Sequence, residues 1–160
     1  MMIRYTTMDS PLGRLQLTSD DKGRLTSVYA PVQKGRTVEP DPSWIRDPDL
    51  LAGAVAQLDE YFARERKEFD LAVAPSGTDF RHRVWRALDD VPYGATVTYK
   101  ELTQAAGLPP TSVRAVAGAV GANPLLILRP CHRVVGSDGS LTGFAAGLEA
   151  KQTLLGIEGR

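Results

Sequence analysis

Apolar residues alternate with polar ones mainly near the start of this chain, whereas from Leu50 onward they recur at helical spacing. That change of period limits the fold to a small sheet-bearing unit followed by helices. Residues 2–8 alternate loosely, and Arg14-Leu15-Gln16-Leu17-Thr18 reads as a half-buried strand. Leu25 to Ala30 is the return strand, with turn formers in Ser10-Pro11-Leu12-Gly13 and Asp20-Asp21-Lys22-Gly23. Pro31, Pro40, Pro42 and Pro48 predict a loop over 31–49. Leu51, Val55, Leu58 and Phe62 then give one helical face within Leu50 to Arg66, and Glu68 to Val73 suggests one more strand. Ala74-Pro75-Ser76-Gly77 has linker composition, so the expected units are residues 1–77 and 78–160.

The second unit is punctuated by helix signals. Thr78 is placed to cap a helix whose apolar stripe is Phe80, Val84, Trp85 and Leu88. Trp85 belongs to the core on that reading, and His82 to the solvent side. Thr98-Tyr99-Lys100-Glu101 fits a capping box, and Gly107 stops the short helix it starts. After Leu108-Pro109-Pro110 a second helix is predicted from about Thr111 to Gly121, which makes a helix-turn-helix pair. Ala115, Gly118, Ala119 and Ala122 give that helix a face with little bulk, suited either to packing on a neighbour or to close approach of another surface. Leu148 to Gly156 reads as a final helix with Leu148, Leu154 and Leu155 buried.

Bulk properties exclude several classes. The chain has 160 residues and formal net charge zero, with 9 basic against 7 acidic residues in its second half, so any affinity for nucleic acid must come from a local patch. One cysteine excludes an internal disulfide and a multi-cysteine zinc site. Met1-Met2-Ile3-Arg4-Tyr5 has no apolar signal core and no stretch is long enough to span a membrane, which predicts a cytoplasmic chain with a reduced thiol.

That single cysteine lies in Pro130-Cys131-His132-Arg133-Val134, after the apolar run Leu125-Leu126-Ile127-Leu128. A lone cysteine in apolar surroundings is ordinarily a small buried hydrophobe. Here an imidazole and a guanidinium follow it directly, and such neighbours favour the thiolate, the nucleophilic form. The segment reads as an activated nucleophile on a short buried strand.

Pro-Cys-His-Arg-Val resembles the active-site motif of the O6-alkylguanine-DNA alkyltransferases, the methylated-DNA–protein-cysteine methyltransferases. The resemblance is strong from Thr78 to Gly159. It takes in the Phe80-x-x-x-Val84-Trp85 helix, the Pro92-Tyr93-Gly94 turn, Asn123-Pro124, Thr142-Gly143-Phe144 and Glu158-Gly159. It implies an α+β chain: a small ribonuclease-H-like domain, then a mainly helical winged-helix domain that binds DNA through its helix-turn-helix. It implies further that Cys131 takes the alkyl group of O6-alkylguanine, and of O4-alkylthymine, in one irreversible turnover. In this scheme His132 is the base through a water, Glu158 orients it, Tyr99 hydrogen-bonds the departing guanine, and Asn123 holds recognition helix and active-site segment together. Arg114 is the arginine finger that fills the gap left by the extruded nucleotide. Thr111, Ser112, Ala115, Gly118, Ala119, Tyr99 and Arg133 are the expected DNA contacts, and Phe144, Ala145, Ala146 and Val134 the alkyl pocket. Relatives commonly carry Gly-Gly where this chain has Ala146-Gly147, which narrows the expected pocket.

Some relatives bind zinc in the first domain through cysteine and histidine, and residues 1–77 contain neither, so no metal and no cofactor are expected. The expected partner is double-stranded DNA carrying O6-alkylguanine, met by a monomer, with cooperative assembly on DNA left open. Two other readings compete: a thiol hydrolase built on Cys131 and His132, and a winged-helix module that binds alkylation damage without chemistry.

Overall fold

The structure is a computed structural model and describes residues 2–141 and 143–159. Its first part is a four-stranded sheet in the order β3-β2-β1-β6. β1 (Arg4–Met8), β2 (Leu15–Ser19) and β3 (Leu25–Tyr29) form an antiparallel meander, and β6 (Ile45–Arg46) adds in parallel beside β1. α1 (Ala52–Phe62) packs on it through Ala54, Leu58 and Tyr61.

Three expectations change here. β2 is buried along its whole length rather than on alternate residues, because it lies inside the sheet and Thr18 finds hydroxyl partners in Thr26 and Ser27. The proline-rich stretch holds β4 (Val32–Gln33) and β5 (Arg36–Thr37), a small hairpin, as well as β6. Residues 68–73 form no strand; Val73 makes one isolated bridge to Leu25.

The second part is helical. α2 (Asp79–Asp89) is capped by Thr78, whose hydroxyl accepts from the Arg81 N–H. Trp85 is buried and its indole N–H donates to Ala119 O at 2.8 Å, which ties α2 to α4. A Cβ on Gly77 would come within 2.6 Å of the Trp85 ring, so the linker can pass there only as glycine. β7 (Val97–Thr98) leads into α3 (Tyr99–Ala105), which has the full capping box between Thr98 and Glu101. Gly107, at φ +71°, ends it, and the Arg83 guanidinium caps the carbonyls of Ala106 and Gly107. A 3₁₀ turn (Pro110–Ser112) then opens α4 (Val113–Gly121). α3 and α4 are the two helices of the helix-turn-helix. β8 (Val134–Val135) pairs in parallel with β7, and α5 (Leu148–Ile157) closes the chain. Leu154 and Leu155 are buried there, but Leu148 is exposed at the first turn, where the helix projects beyond the core. No helix among the described residues is long and apolar enough to cross a membrane.

The two parts share one hydrophobic core, in which Leu17, Val28 and Leu58 join Val84, Leu88 and Leu125. The free edge of β3 is what joins them. Val28 N–H donates to Pro124 O at 2.8 Å, and Leu126 N–H donates to Val28 O at 3.1 Å. The segment just before the cysteine is therefore stitched to the first sheet, which also covers an edge that would otherwise invite pairing with another chain.

Candidate active site

Cys131 begins a 3₁₀ turn, Cys131–Arg133, and not the strand expected from the apolar run before it. Two consecutive three-residue turns replace that strand. Leu128 N–H donates to Leu126 O at 2.8 Å around Ile127, and Cys131 N–H donates to Arg129 O at 2.7 Å around Pro130. Ile127 has φ +72°, a conformation that costs a β-branched residue on the order of 1–2 kcal/mol. Asn123 holds the strained segment in place. Its side-chain N–H₂ donates to Leu125 O and Arg129 O, and its Oδ1 accepts from Leu125 N–H at 3.0 Å. Arg129, nearly buried, pairs with Asp89 at 3.0 Å and lies 5.0 Å over the Trp85 ring, which anchors the same segment to α2.

Cys131 lines a mostly apolar cavity of about 350 Å³ with Tyr99, Val120, Asn123, Leu126 and Phe144. Burial pushes its thiol above the ordinary value; the Asn123 side chain and the Lys151 ammonium offset that only in part. The resting cysteine is thus a thiol, not the preformed thiolate expected from its neighbours.

His132 is fully buried, and its Nε2 meets Glu158 Oε2 at 2.6 Å. The Glu158 carboxylate also accepts from Tyr61 Oη at 2.6 Å and from Arg133 through two nitrogens, at 2.7 and 3.1 Å. Burial alone would raise this carboxyl, but the hydrogen bonds from His132 and Arg133 outweigh it and hold Glu158 at about 2. Glu158 is therefore an anion and can only accept, so Nε2 carries the imidazole proton. Burial lowers His132 below its ordinary value, only partly opposed by Glu158, which makes it neutral near pH 7. The remaining nitrogen, Nδ1, is a lone pair, and it is buried with no partner among the described residues. A basic nitrogen in a fixed tautomer, next in sequence to a thiol at a cavity, is the arrangement of a nucleophile, a base and an orienting acid.

Comparison with known proteins finds relatives over nearly the whole length. Residues 79–160 match the DNA binding domain of 6-O-methylguanine DNA methyltransferase, and residues 3–75 match its ribonuclease-like domain. The chain belongs to the 6-O-methylguanine DNA methyltransferase family. A methylated-DNA–protein-cysteine methyltransferase of Mycolicibacterium paratuberculosis is 47% identical over 160 residues, covering 99% of this chain and 94% of that protein. One from Methanosarcina acetivorans is 43% identical, covering 97% of each. Among solved structures, the O6-methylguanine methyltransferase of Mycobacterium tuberculosis superposes with TM-score 0.88 at 44% identity, covering 98% of this chain and 93% of that one. The Mycobacterium tuberculosis OGT in complex with DNA gives 0.87 at 42% identity, with 99% and 92% covered.

In this methyltransferase-family chain the expected site residues divide into groups. Cys131, His132, Glu158, Tyr99 and Asn123 come together at or beside the cavity, with Phe144 and Ala145 in its wall. Arg114, Thr111, Ala115 and Gly118 are exposed and Ser112 half-buried, on one end and face of α4. A Cβ on Gly118 would meet nothing within 4 Å, so no neighbour among the described residues demands its smallness.

Four expected contacts are corrected. Ala119 is buried against α2, where its carbonyl accepts from Trp85, so its side chain is turned away from the exposed face. Arg133 is buried, pairs with Glu158 and donates to Val91 O at 2.6 Å, which leaves its guanidinium inside the protein. Val134 is fully buried beside β7 and Ala146 packs towards the core; neither lines the cavity. Thr142 lies outside the described residues.

Other residues of this methyltransferase-family site carried no sequence signal. Tyr61 sits at a core position of α1 and reaches Glu158 across 97 residues, so the first domain does enter the site. Lys151 is fully buried, donates to Val134 O and lies 5.8 Å from the centre of the Phe144 ring. It is the fourth residue of α5, whose first turn is otherwise exposed or half-buried.

Proposed function

We propose that this chain is a DNA-repair protein that moves the alkyl group of O6-alkylguanine, and of O4-alkylthymine, from DNA to Cys131 in a single turnover. The observation that carries the reading is the pairing of a buried thiol at an apolar cavity with a neutral His132 whose free lone pair is Nδ1. The sulfur attacks the alkyl carbon, the carbon–oxygen bond breaks, and a thioether forms. The thiol proton passes to Nδ1 through a water, since adjacent side chains in a turn point apart. Glu158 stabilises the imidazolium, the Tyr99 hydroxyl hydrogen-bonds the departing guanine anion, and the proton held by His132 passes on through water to that guanine, so both side chains end as they began. The nucleophile, base and proton donor are all side chains, so no cofactor enters these steps.

The target base cannot be reached within a stacked duplex and must be extruded, at a cost of a few kcal/mol. Arg114, exposed at the start of α4, would fill the vacated position. The low profile of Ala115 and Gly118 suits close approach to the minor groove. Phosphate contacts make binding weaker as salt rises. The thioether has no second thiol to displace it, so the protein is spent after one event, acting as a monomer.

Mass spectrometry after incubation with duplex DNA carrying O6-methylguanine tests the reading. Expected is one equivalent of adduct, the mass of one CH₂, on the Cys131 peptide, with restored guanine in the DNA. Cys131→Ala should bind the same duplex and yield no adduct. Repeated turnover would show a hydrolase instead, and binding with no adduct on the native protein would show a damage-binding module.

A further inference from the structure

The cavity at Cys131 is not built by the second domain alone. Gln33 and Lys34, from the β4–β5 hairpin of the first domain, line it with Phe144 and Ala145. Cys131, Asn123 and Leu126 are buried in it, whereas Gln33 is half-buried and Lys34 exposed, which puts the hairpin at the mouth. We propose that this hairpin is the outer wall of the alkyl pocket, and that Gln33 and Lys34 set the largest alkyl group that Cys131 can accept. The proposal rests on reading the cavity as the alkyl pocket.

Two features make the hairpin a wall and not a loose flap. Its turn residues, Lys34 and Gly35, both hold positive φ, +51° and +77°, as a two-residue turn matched to strand twist requires. Lysine is an uncommon occupant of the first of these positions, where asparagine or glycine is the relaxed choice. The turn also points the Lys34 N–H outward, and it donates to Ala145 O at 2.7 Å. That bond ties the hairpin to the 143–147 loop carrying Phe144, so the two edges of the mouth are held as one. The volume gives the wall its leverage. At about 350 Å³ the cavity is near the lower end of small-molecule pockets, roughly 300–1,000 Å³, and a guanine must share it with its alkyl group. Each side chain at the mouth then subtracts directly from the bulk allowed.

The test compares second-order transfer rates from one duplex sequence carrying either O6-benzylguanine or O6-methylguanine. Any contact of the hairpin with DNA cancels in the benzyl-to-methyl ratio, as does the fraction of active protein. Gln33→Ala and Lys34→Gly, which keeps the turn, should raise the ratio about fivefold, and Gln33→Trp should lower it about tenfold, near the low end of what one methylene is worth in a pocket. A ratio within twofold of wild type in all three variants would overturn the proposal, and so would a shift in the same direction for alanine and tryptophan. Wild-type protein that takes the alkyl group from neither base would instead defeat the alkyl-transfer reading itself, and would show as a missing Cys131 adduct rather than an unmoved ratio.

Discussion

The two ring nitrogens of His132 border two unlike regions. On the Nε2 side every polar group is satisfied: Glu158 takes Tyr61, His132 and a forked Arg133, and Arg133 also reaches Val91 O. On the Nδ1 side no described residue bonds the nitrogen, and the adjoining cysteine faces an apolar cavity. The saturated region fixes a tautomer and a charge before any substrate arrives. The unsaturated one keeps room for a reaction. A network that is fully paired is rigid, while a lone pair left buried is costly and persists where it has work to do.

Substitutions on the two sides should therefore differ in kind. Glu158→Ala strands the Arg133 guanidinium in a buried site, and breaking such a pair costs about 3–5 kcal/mol. Urea denaturation should show that loss, and alkyl transfer should fall with it because the imidazole no longer has a fixed tautomer. Cys131→Ala removes one small buried atom, so stability should change by no more than about 1 kcal/mol while transfer disappears. Equal stability loss in the two variants would erase the contrast between scaffold and reaction chamber.

Acid offers a second, smaller probe. The folded protein keeps His132 below its ordinary value of 6.5, so below that pH the unfolded chain takes up a proton that the folded chain refuses. Stability should be level above 6.5 and fall as pH drops below it. Glu158 adds a later loss, since its folded value is about 2 against an ordinary 4.5, and its contribution fades as pH falls from 4.5 towards 2. His132→Gln should flatten the first stage and shrink the second, since His132 is one of the donors that hold the Glu158 carboxyl down. On the cavity side the raised thiol shows at the other end of the pH range: iodoacetamide should label Cys131 more slowly than free cysteine at pH 8, and faster as pH rises past the ordinary thiol range.

Parts of the molecule that depend on local chemistry were readable in the chain. Thr78, the Thr98–Glu101 capping box and Gly107 mark helix ends through bonds within a few residues. The β1–β3 meander is readable for the same reason. Features that depend on remote partners were not. β6 is two residues long and exists because β1 lies beside it. Leu125 to Leu128 has the composition of a strand, yet Asn123 and the edge of β3 bend it into tight turns, with Ile127 in a conformation its own propensity opposes. Arg114 and Arg133 are the same residue type in similarly polar surroundings. Only the fold brings Glu158 to one of them and leaves the other exposed.

Tyr61→Phe gives the smallest and most discriminating effect. Burial, with the Glu158 carboxylate beside it, pushes the phenol well above its ordinary value, so the hydroxyl donates at every accessible pH. Deleting it leaves Glu158 with His132 and both Arg133 bonds, and no charge is orphaned. The stability loss should be about 1 kcal/mol, the worth of one hydrogen bond. Glu158 Oε2, with one donor fewer, should then bind the His132 proton more tightly and move the imidazole pKa upward, which an NMR titration of the ring would read. Transfer should slow only a few-fold, because Nδ1 keeps its lone pair at neutral pH. If the variant leaves the His132 titration where it was, the first domain supports the site by packing alone, and the border drawn through His132 belongs to the second domain by itself.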